Sequence, residues 1–326
     1  MKTLTQRLSN PRLLDLVPVV LMLLVAVFFS AATDSFATWA NVKNILLQSS
    51  HLAILALGAS LVLLVAGVDL SVGATMYVAA ALIGVFMPGA PVLIWLLAGC
   101  GIGLVLGAIN AFFVVRVRVA AFIVTLSMLF LLRGVGLWIS DTKMVFAAPH
   151  LLEMSRASFL GIPVPILLAG LSLVFVHLLL SGTPFGRSVY AIGDDPEGAR
   201  RAGIPVERVT FMLFVLCGGF AGLSGVVLMS QIAAASSTFG QEKEFMAIAA
   251  AVLGGTSLFG GRGNAFGPVF GAILMQTVQN GLVLMDTDPY LYPLITGAVI
   301  FIVVLIDTLR NQLSERLGRS PIRVEA

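Results

Sequence analysis

Charge is what this chain has least of. Charged side chains make up 11% of its 326 residues, while 59% are hydrophobic and the mean hydropathy is +1.04. Soluble domains carry roughly 25% charged residues. A soluble fold of this length cannot hide such an apolar surplus, so lipid is the expected solvent. Cysteine is nearly absent, and Cys100 and Cys217 both sit inside apolar runs, where they read as small packing residues. The histidines His51, His150 and His177 have no cysteine or carboxylate at metal-ligand spacing, so no metal site is expected. A Gly-Lys-Ser/Thr nucleotide loop is missing, so the chain is not expected to hydrolyse ATP itself. No Ser-His-Asp set or carboxylate pair stands out, which leaves an enzyme reading with little support. The net charge of +3 and pI near 9.1 read as the orientation bias of a membrane protein, not as nucleic-acid binding.

What the chain does have is long hydrophobic runs. A span needs roughly 20 apolar residues. The runs predict an all-α polytopic membrane protein of about ten transmembrane helices, a single transmembrane domain over 1–326. Spans are expected at 13–32, 45–66, 72–88, 91–115, 121–140, 163–181, 208–231, 244–259, 265–285 and 291–308. Lys2, Arg7 and Arg12 before an apolar run imitate a signal peptide. That run is long and many spans follow, so a retained first helix is expected.

Charge placement sets the orientation. With the N-terminus in the cytoplasm, the inside segments hold 14 basic residues: Lys2, Arg7, Arg12, Arg116, Arg118, Arg187, Arg200, Arg201, Arg208, Arg262, Arg310, Arg316, Arg319 and Arg323. The outside segments hold only 4, Lys43, Lys143, Arg156 and Lys243. That asymmetry follows the positive-inside rule and predicts both termini, including a tail at 309–326, in the cytoplasm. Two connections are long: an outside one at about 141–162 and a very polar inside one at 182–207.

The inside loop carries the grammar of a short helix. Asp195 can cap its start, Pro196 suits the first helical position, and Glu197 complements the positive end. Gly198 and Ala199 lead to Arg200 and Arg201 near the negative end, and after Ala202, Gly203 can stop it. Such a rod is either an ordinary connector or an element that a partner grips. A second cluster, Gly254, Gly255, Gly260, Gly261 and Gly263, is too glycine-rich for a straight helix, and predicts close packing or a hinge. It echoes an earlier stretch: Gly67-Val68-Asp69-Leu70 and Gly73 match Gly255-Thr256-Ser257-Leu258 and Gly261 in spacing, by duplication or by coincidence.

Charge at membrane depth is expensive, so Asp69, at a helix break, and Arg133, within a span, are candidates for function or for structural hydrogen bonding. Glu244 is expected at the outer interface. Asn110, Thr125, Ser127, Gln276, Gln279 and Asn280 could line a path for a neutral hydroxylated solute, or bond helix to helix. An ion-coupled secondary transporter is the rival reading. It needs titratable groups near mid-membrane, where Arg133 is the candidate, and arginine does not release protons.

Taken together, five stretches resemble the monosaccharide permeases of bacterial ABC importers, the ribose/xylose/galactose type. They are Gly67 through Gly73, Ala121 through Leu126 with Arg133-Gly134, Thr183 through Arg187, Ala191 through Ile204, and Ala249 through Gly263. Glu197, Ala199 and Gly203 keep the spacing of the Glu-Ala-Ala-x-x-x-Gly loop of many importers, with Gly198 in place of the first Ala. Val119 and Ala120-Ala121 depart from the usual Lys-Pro, and Glu244-Phe245-Met246 from Glu-Leu-Asp. The resemblance implies a permease of the bacterial inner membrane that works with a second permease, an ABC ATPase subunit and a periplasmic sugar-binding protein. It also implies that residues 195–203 form the helix seated in the ATPase. ATP and magnesium would be held by that partner, and no cofactor by this chain.

Overall fold

The computed structural model describes residues 17–288, 290–299, 301 and 305. The expected tail at 309–326 lies outside them, as do parts of the first and last expected spans.

The described chain is almost wholly helical. Helices α1 (Val17–Ala32), α2 (Trp39–Leu63), α3 (Val72–Phe86), α4 (Val92–Ala111) and α5 (Ala121–Ile139) come first, and α4 runs on through a π-turn at Phe112–Arg116. After α6 (Pro149–Arg156) come α7 (Val164–Gly182), α8 (Pro184–Asp194), α9 (Pro196–Arg201), α10 (Val206–Ile232), α11 (Lys243–Leu253) and α12 (Phe266–Leu284). Residues 291–299 are helical as well. Among the described residues, five stretches, α2, α4 with its π-turn, α5, α7 and α10, are long and apolar enough to cross a membrane, and the shorter α1 and α3 are apolar too. The protein is a polytopic α-helical membrane protein.

The packing distinguishes centre from periphery. From Ser49 to Leu64 every residue of α2 and its C-cap is buried, so this helix is enclosed on all sides. α4, by contrast, buries one stripe, Trp95, Gly99, Gly103, Gly107 and Asn110, at near-helical spacing. That stripe lies antiparallel on α10. A side chain at Gly99, Gly103 or Gly107 would run into the backbone or side chains of Gly222, Val226, Gly218 and Phe214. Small residues here let two backbones touch, the usual basis of helix packing in lipid. The opposite face of α4 presents Leu93, Leu97 and Val105 outward, as a lipid-facing surface does.

Two expectations change. The span placed at 244–259 is instead α11, a helix of 11 residues. At 1.5 Å per residue it covers about 16 Å, roughly half a bilayer core. Its run ends at Leu253 because Gly254 and Gly255 open an irregular segment that continues to α12. Glu244, in the first turn of α11, is only 4% exposed, with its carboxylate packed against Gly73. The 182–207 loop holds two helices where one was expected. The signal for the extra one was present: Thr183 caps α8 by accepting from the Gly186 amide at 3.2 Å, and Pro184 takes the first helical position.

Strand structure among the described residues is limited to short antiparallel pairs. Val145 and Phe146 pair with Ala235 and Ala234, and Ser158–Phe159 pairs with Ile162–Pro163. The first pair ties the α5–α6 connection to the end of α10. It therefore lies at the end of the bundle opposite the arginine-bearing 182–207 loop, which leads into the start of α10.

Candidate functional site

Two irregular segments meet at the arginine-rich end. The first, 64–71, links α2 to α3, and the second, 254–265, links α11 to α12. The Gly261 amide donates to the Leu64 carbonyl at 2.9 Å. Gly254 sits backbone to backbone against Gly267, with no room for a Cβ on either. Gly255, Gly260, Gly261 and Gly263 all have positive φ. At Gly261, φ is 72°, a left-handed turn that aims its amide at Leu64.

α8 and α9 lie against this junction. Gly193 packs so tightly on the Leu64 carbonyl and on Gly261 that a side chain there would collide with both. The Tyr190 hydroxyl donates to the Gly263 carbonyl at 2.9 Å, and its half-burial holds it above its ordinary pKa. Asp195 accepts from the Glu197 amide at 3.1 Å and so caps α9, as its sequence suggested. Pro196, Gly198, Ala199 and Arg201 complete the helix, with Ala199 its one buried side chain. Ala202 is the C-cap, and Gly203 follows with φ 83°. Arg200 donates to Glu197 at 2.6 Å and to Glu207 at 2.9 Å, which fastens α9 to the first turn of α10. Both pairs are largely exposed, so each contributes only about 0.2–1 kcal/mol. Their value lies in direction: they fix the angle at which α9 leaves the bundle.

The polar residues picked out within the spans fall into separate places. Asp69, Asn110 and Thr125 come together. Asp69 accepts from the Ser71 amide at 2.9 Å and from its hydroxyl at 2.7 Å, beside the positive N-terminus of α3. Asn110 donates to Ser71 Oγ at 2.8 Å, while its own Oδ1 is buried without a partner. Thr125 shares its proton between the carbonyls of Val68 and Ala121. The knot holds the 64–71 segment to α4 and α5. Gln276 and Asn280, on α12, face α2, where Gln276 donates to Gln48 at 2.8 Å and Asn280 pairs with Asn41. Arg133 donates to the Phe239 carbonyl and lies over the Tyr77 ring. Ser127 is exposed and bonds back to Ile123.

Sequence reading missed two further groups. The α4–α10 glycine stripe hides among many other glycines. The polar pair His51 and Gln231 comes from two different helices, with no local spacing that links its members. Among the described residues, no group of three His, Cys, Asp or Glu side chains is placed to hold a metal.

Comparison with known proteins agrees with this architecture. The chain is 37% identical over 290 residues to the ribose import permease protein of Bacillus subtilis (strain 168), covering 88% of this chain and 90% of that one. It is 34% identical over 328 residues to the fructose import permease protein of Rhizobium meliloti, covering 94% of this chain and 89% of that one. A probable ABC transporter permease protein of Sinorhizobium fredii (strain NBRC 101917 / NGR234) is 35% identical over 272 residues, covering 83% and 82%. No solved structure matches. Residues 41–304 match the family described as branched-chain amino acid transport system / permease component, and this chain belongs to that family.

Proposed function

We propose that this chain is the membrane-spanning permease subunit of an ATP-driven importer that carries a monosaccharide across the bacterial inner membrane. The sugar, in preference to an amino acid, rests on the relatives, which are named for ribose and fructose import. The observation that carries the mechanism is the braced pair α8–α9. A partner ATPase grips α9 from the cytoplasm. Arg200 passes a displacement of α9 to α10 through Glu207, and Gly193 and Tyr190 of α8 pass it to the 64–71 and 254–265 segments. Those segments are the non-helical joints of α3 and α11, so they can turn without breaking a helix. Movement there opens the path to alternate sides of the membrane.

The same reading assigns the remaining parts. A periplasmic sugar-binding protein delivers the solute, and a second permease, identical or paralogous, completes the pathway. ATP and magnesium sit in the ATPase subunit, where hydrolysis takes place, and this chain performs no chemistry. Asp69, Asn110, Thr125, Ser127, Arg133, Gln276 and Asn280 remain pathway candidates. Of these, the three at the 64–71 segment are best placed to govern its movement.

The test is to replace Glu197 by Lys, or to delete 195–203, in cells that carry the whole transporter. Uptake and co-purification of the ATPase should both fall sharply. Normal values for both would rule out α9 as the coupling element.

A further inference from the structure

α10 does not join α11 through a loop outside the bundle. Ala234 and Ala235 pair with Phe146 and Val145 at the outer end, opposite the arginine-rich loop. From there the chain turns inward. Phe239 packs on the Tyr77 ring and its carbonyl accepts from Arg133, while Gly240 lies against the Gly73 carbonyl and Met76. α3 measures the descent. Its Gly84 meets Val145, whereas its Gly73 meets Gly240, and these two glycines of α3 are about 16 Å apart along the helix axis. α10 gives a second mark: Met76 also packs on Gly225, about 10 Å short of the outer end at Ile232. Residues 239–242 therefore lie roughly 10–16 Å inside the outer helix ends, in a membrane whose hydrocarbon core is about 30 Å thick. α11 starts only there, at Lys243.

The descending segment is irregular, polar and open. Ser237, Thr238, Gln241 and Glu242 are all exposed. The outward faces of α4 and α7 show what lipid contact looks like in this protein: Leu97 and Val105 on one, Leu171 and Val174 on the other. Lipid offers no hydrogen bond to non-helical backbone and no solvation to a carboxylate. Irregular chain at membrane depth is therefore either buried in protein or lines water. Exposed side chains rule out burial within this chain, so water is left. Glu242 adds a backbone argument. Its φ is 63°, a left-handed value that a residue with a side chain adopts at a cost. It stands at the N-cap of α11, yet its carboxylate makes no cap hydrogen bond. The strain thus serves a charged side chain that the helix itself does not use.

We infer that residues 236–242 form a re-entrant wall of the solute passage, reached by water from the outer side, on which Gln241 and Glu242 hydrogen-bond the hydroxyls of a neutral, polyhydroxylated solute. The inference deepens the sugar-permease reading and rests on it. A carboxylate accepts strongly from hydroxyls, and an amide both donates and accepts, which suits a solute whose groups do both. The hydroxyls of Ser236 and Thr238, 3.0 Å apart, belong to the same wall. The wall runs directly into α11, and α11 ends at the glycine junction on which α8 rests. A shift at that junction therefore reaches the solute contacts through one short helix.

One experiment reads water access. With Cys100 and Cys217 replaced by Ala, Thr238→Cys, Gln241→Cys and the lipid-facing control Leu97→Cys are treated in spheroplasts with a charged, membrane-impermeant methanethiosulfonate. Thr238→Cys and Gln241→Cys should react at least about tenfold faster than the control, because the thiolate reacts and forms only in water. Rates as low as the control overturn the proposal, and put the segment against lipid or in a dry contact with the second permease. A second experiment reads the solute, with the full transporter (permease, ATPase and binding protein) in liposomes and labelled ribose and fructose as probes. Import of neither sugar by the wild type overturns the sugar reading and the solute contact with it. With import established, Gln241→Leu and Glu242→Leu should each lower solute moved per ATP hydrolysed by about tenfold, roughly one lost hydrogen bond to the solute. Binding-protein-stimulated ATPase should persist, and Glu242→Gln, which keeps an acceptor, should recover part of the loss. Unchanged transport per ATP in both leucine variants overturns the solute contact and leaves the permease reading intact.

Discussion

The backbone amide of Gly261 donates a 2.9 Å hydrogen bond to the carbonyl oxygen of Leu64, and so joins two chain breaks nearly 200 residues apart in sequence. Each break interrupts a helix that would otherwise be apolar throughout. A broken helix in lipid must satisfy its freed carbonyls within the protein. Leu64, just past the end of α2, does so with an amide from the other break. The glycine echo between the two stretches therefore marks two segments that touch.

Tyr190 links α8 to this junction, so it offers a test outside the spans. Replacing it by Phe removes one hydrogen bond to Gly263 and should lower stability by about 0.5–1.5 kcal/mol at neutral pH. The hydroxyl's pKa is raised in the folded state by burial. Its contribution is therefore fully present below the ordinary tyrosine value near 10 and disappears as pH rises through the higher folded value. Thermal unfolding of wild type and Tyr190→Phe in detergent should differ at pH 7 and converge above about pH 10. A gap that stays constant with pH would show that the hydroxyl is not the cause.

Two glycines a residue pair apart on α4 should respond oppositely to the same change. A side chain at Gly103 collides with the Gly218 carbonyl on α10, whereas Gly101 faces open space. Gly103→Leu should destabilise the protein by about 1–3 kcal/mol or more. Gly101→Leu should stay within about 0.5 kcal/mol of wild type. Thermal midpoints by fluorescence-detected size exclusion compare them directly, and equal midpoints would contradict the contact.

Asn41 and Asn280 form a closed pair, each amide nitrogen 2.9 Å from the other's oxygen, with both residues buried. Removing one partner strands the other. Asn280→Leu alone should cost about 1–3 kcal/mol. Asn41→Leu with Asn280→Leu together should cost less than the sum of the single changes, because no amide is then left unpaired. Strict additivity in a double-mutant cycle would argue against the pair.

Local grammar was read correctly where chemistry is local. The Asp195 cap, Pro196 and Gly203 specify α9 within nine residues of chain, and the structure builds that helix between them. The break at Gly67–Ser71 was legible for the same reason. α8 was missed although Thr183-Pro184 announces it, because the polarity of 182–207 as a whole read as loop and masked the few apolar residues, Val189 and Ile192, that bury its inner face. The end of α11 was missed because Ala249 through Phe259 is apolar enough to imitate a continuous crossing, and hydropathy cannot register a backbone that turns.

Hydropathy and charge by themselves determined that this chain enters a membrane many times, with its arginines gathered at one end. Those properties follow from transfer energies, which are summed residue by residue. Which face of each helix meets protein was decided only by the tertiary structure. In a soluble helix the buried stripe is apolar and the exposed one polar, but here both sides of α4 are apolar. The faces differ in size and shape instead, with Gly99, Gly103 and Gly107 turned to α10 and Leu93, Leu97 and Val105 turned away. The same holds for the polar side chains: Gln276 finding Gln48, and His51 finding Gln231, depend on helix rotation and register. Those are set by close packing among distant segments, for which no stretch of the sequence holds the measure.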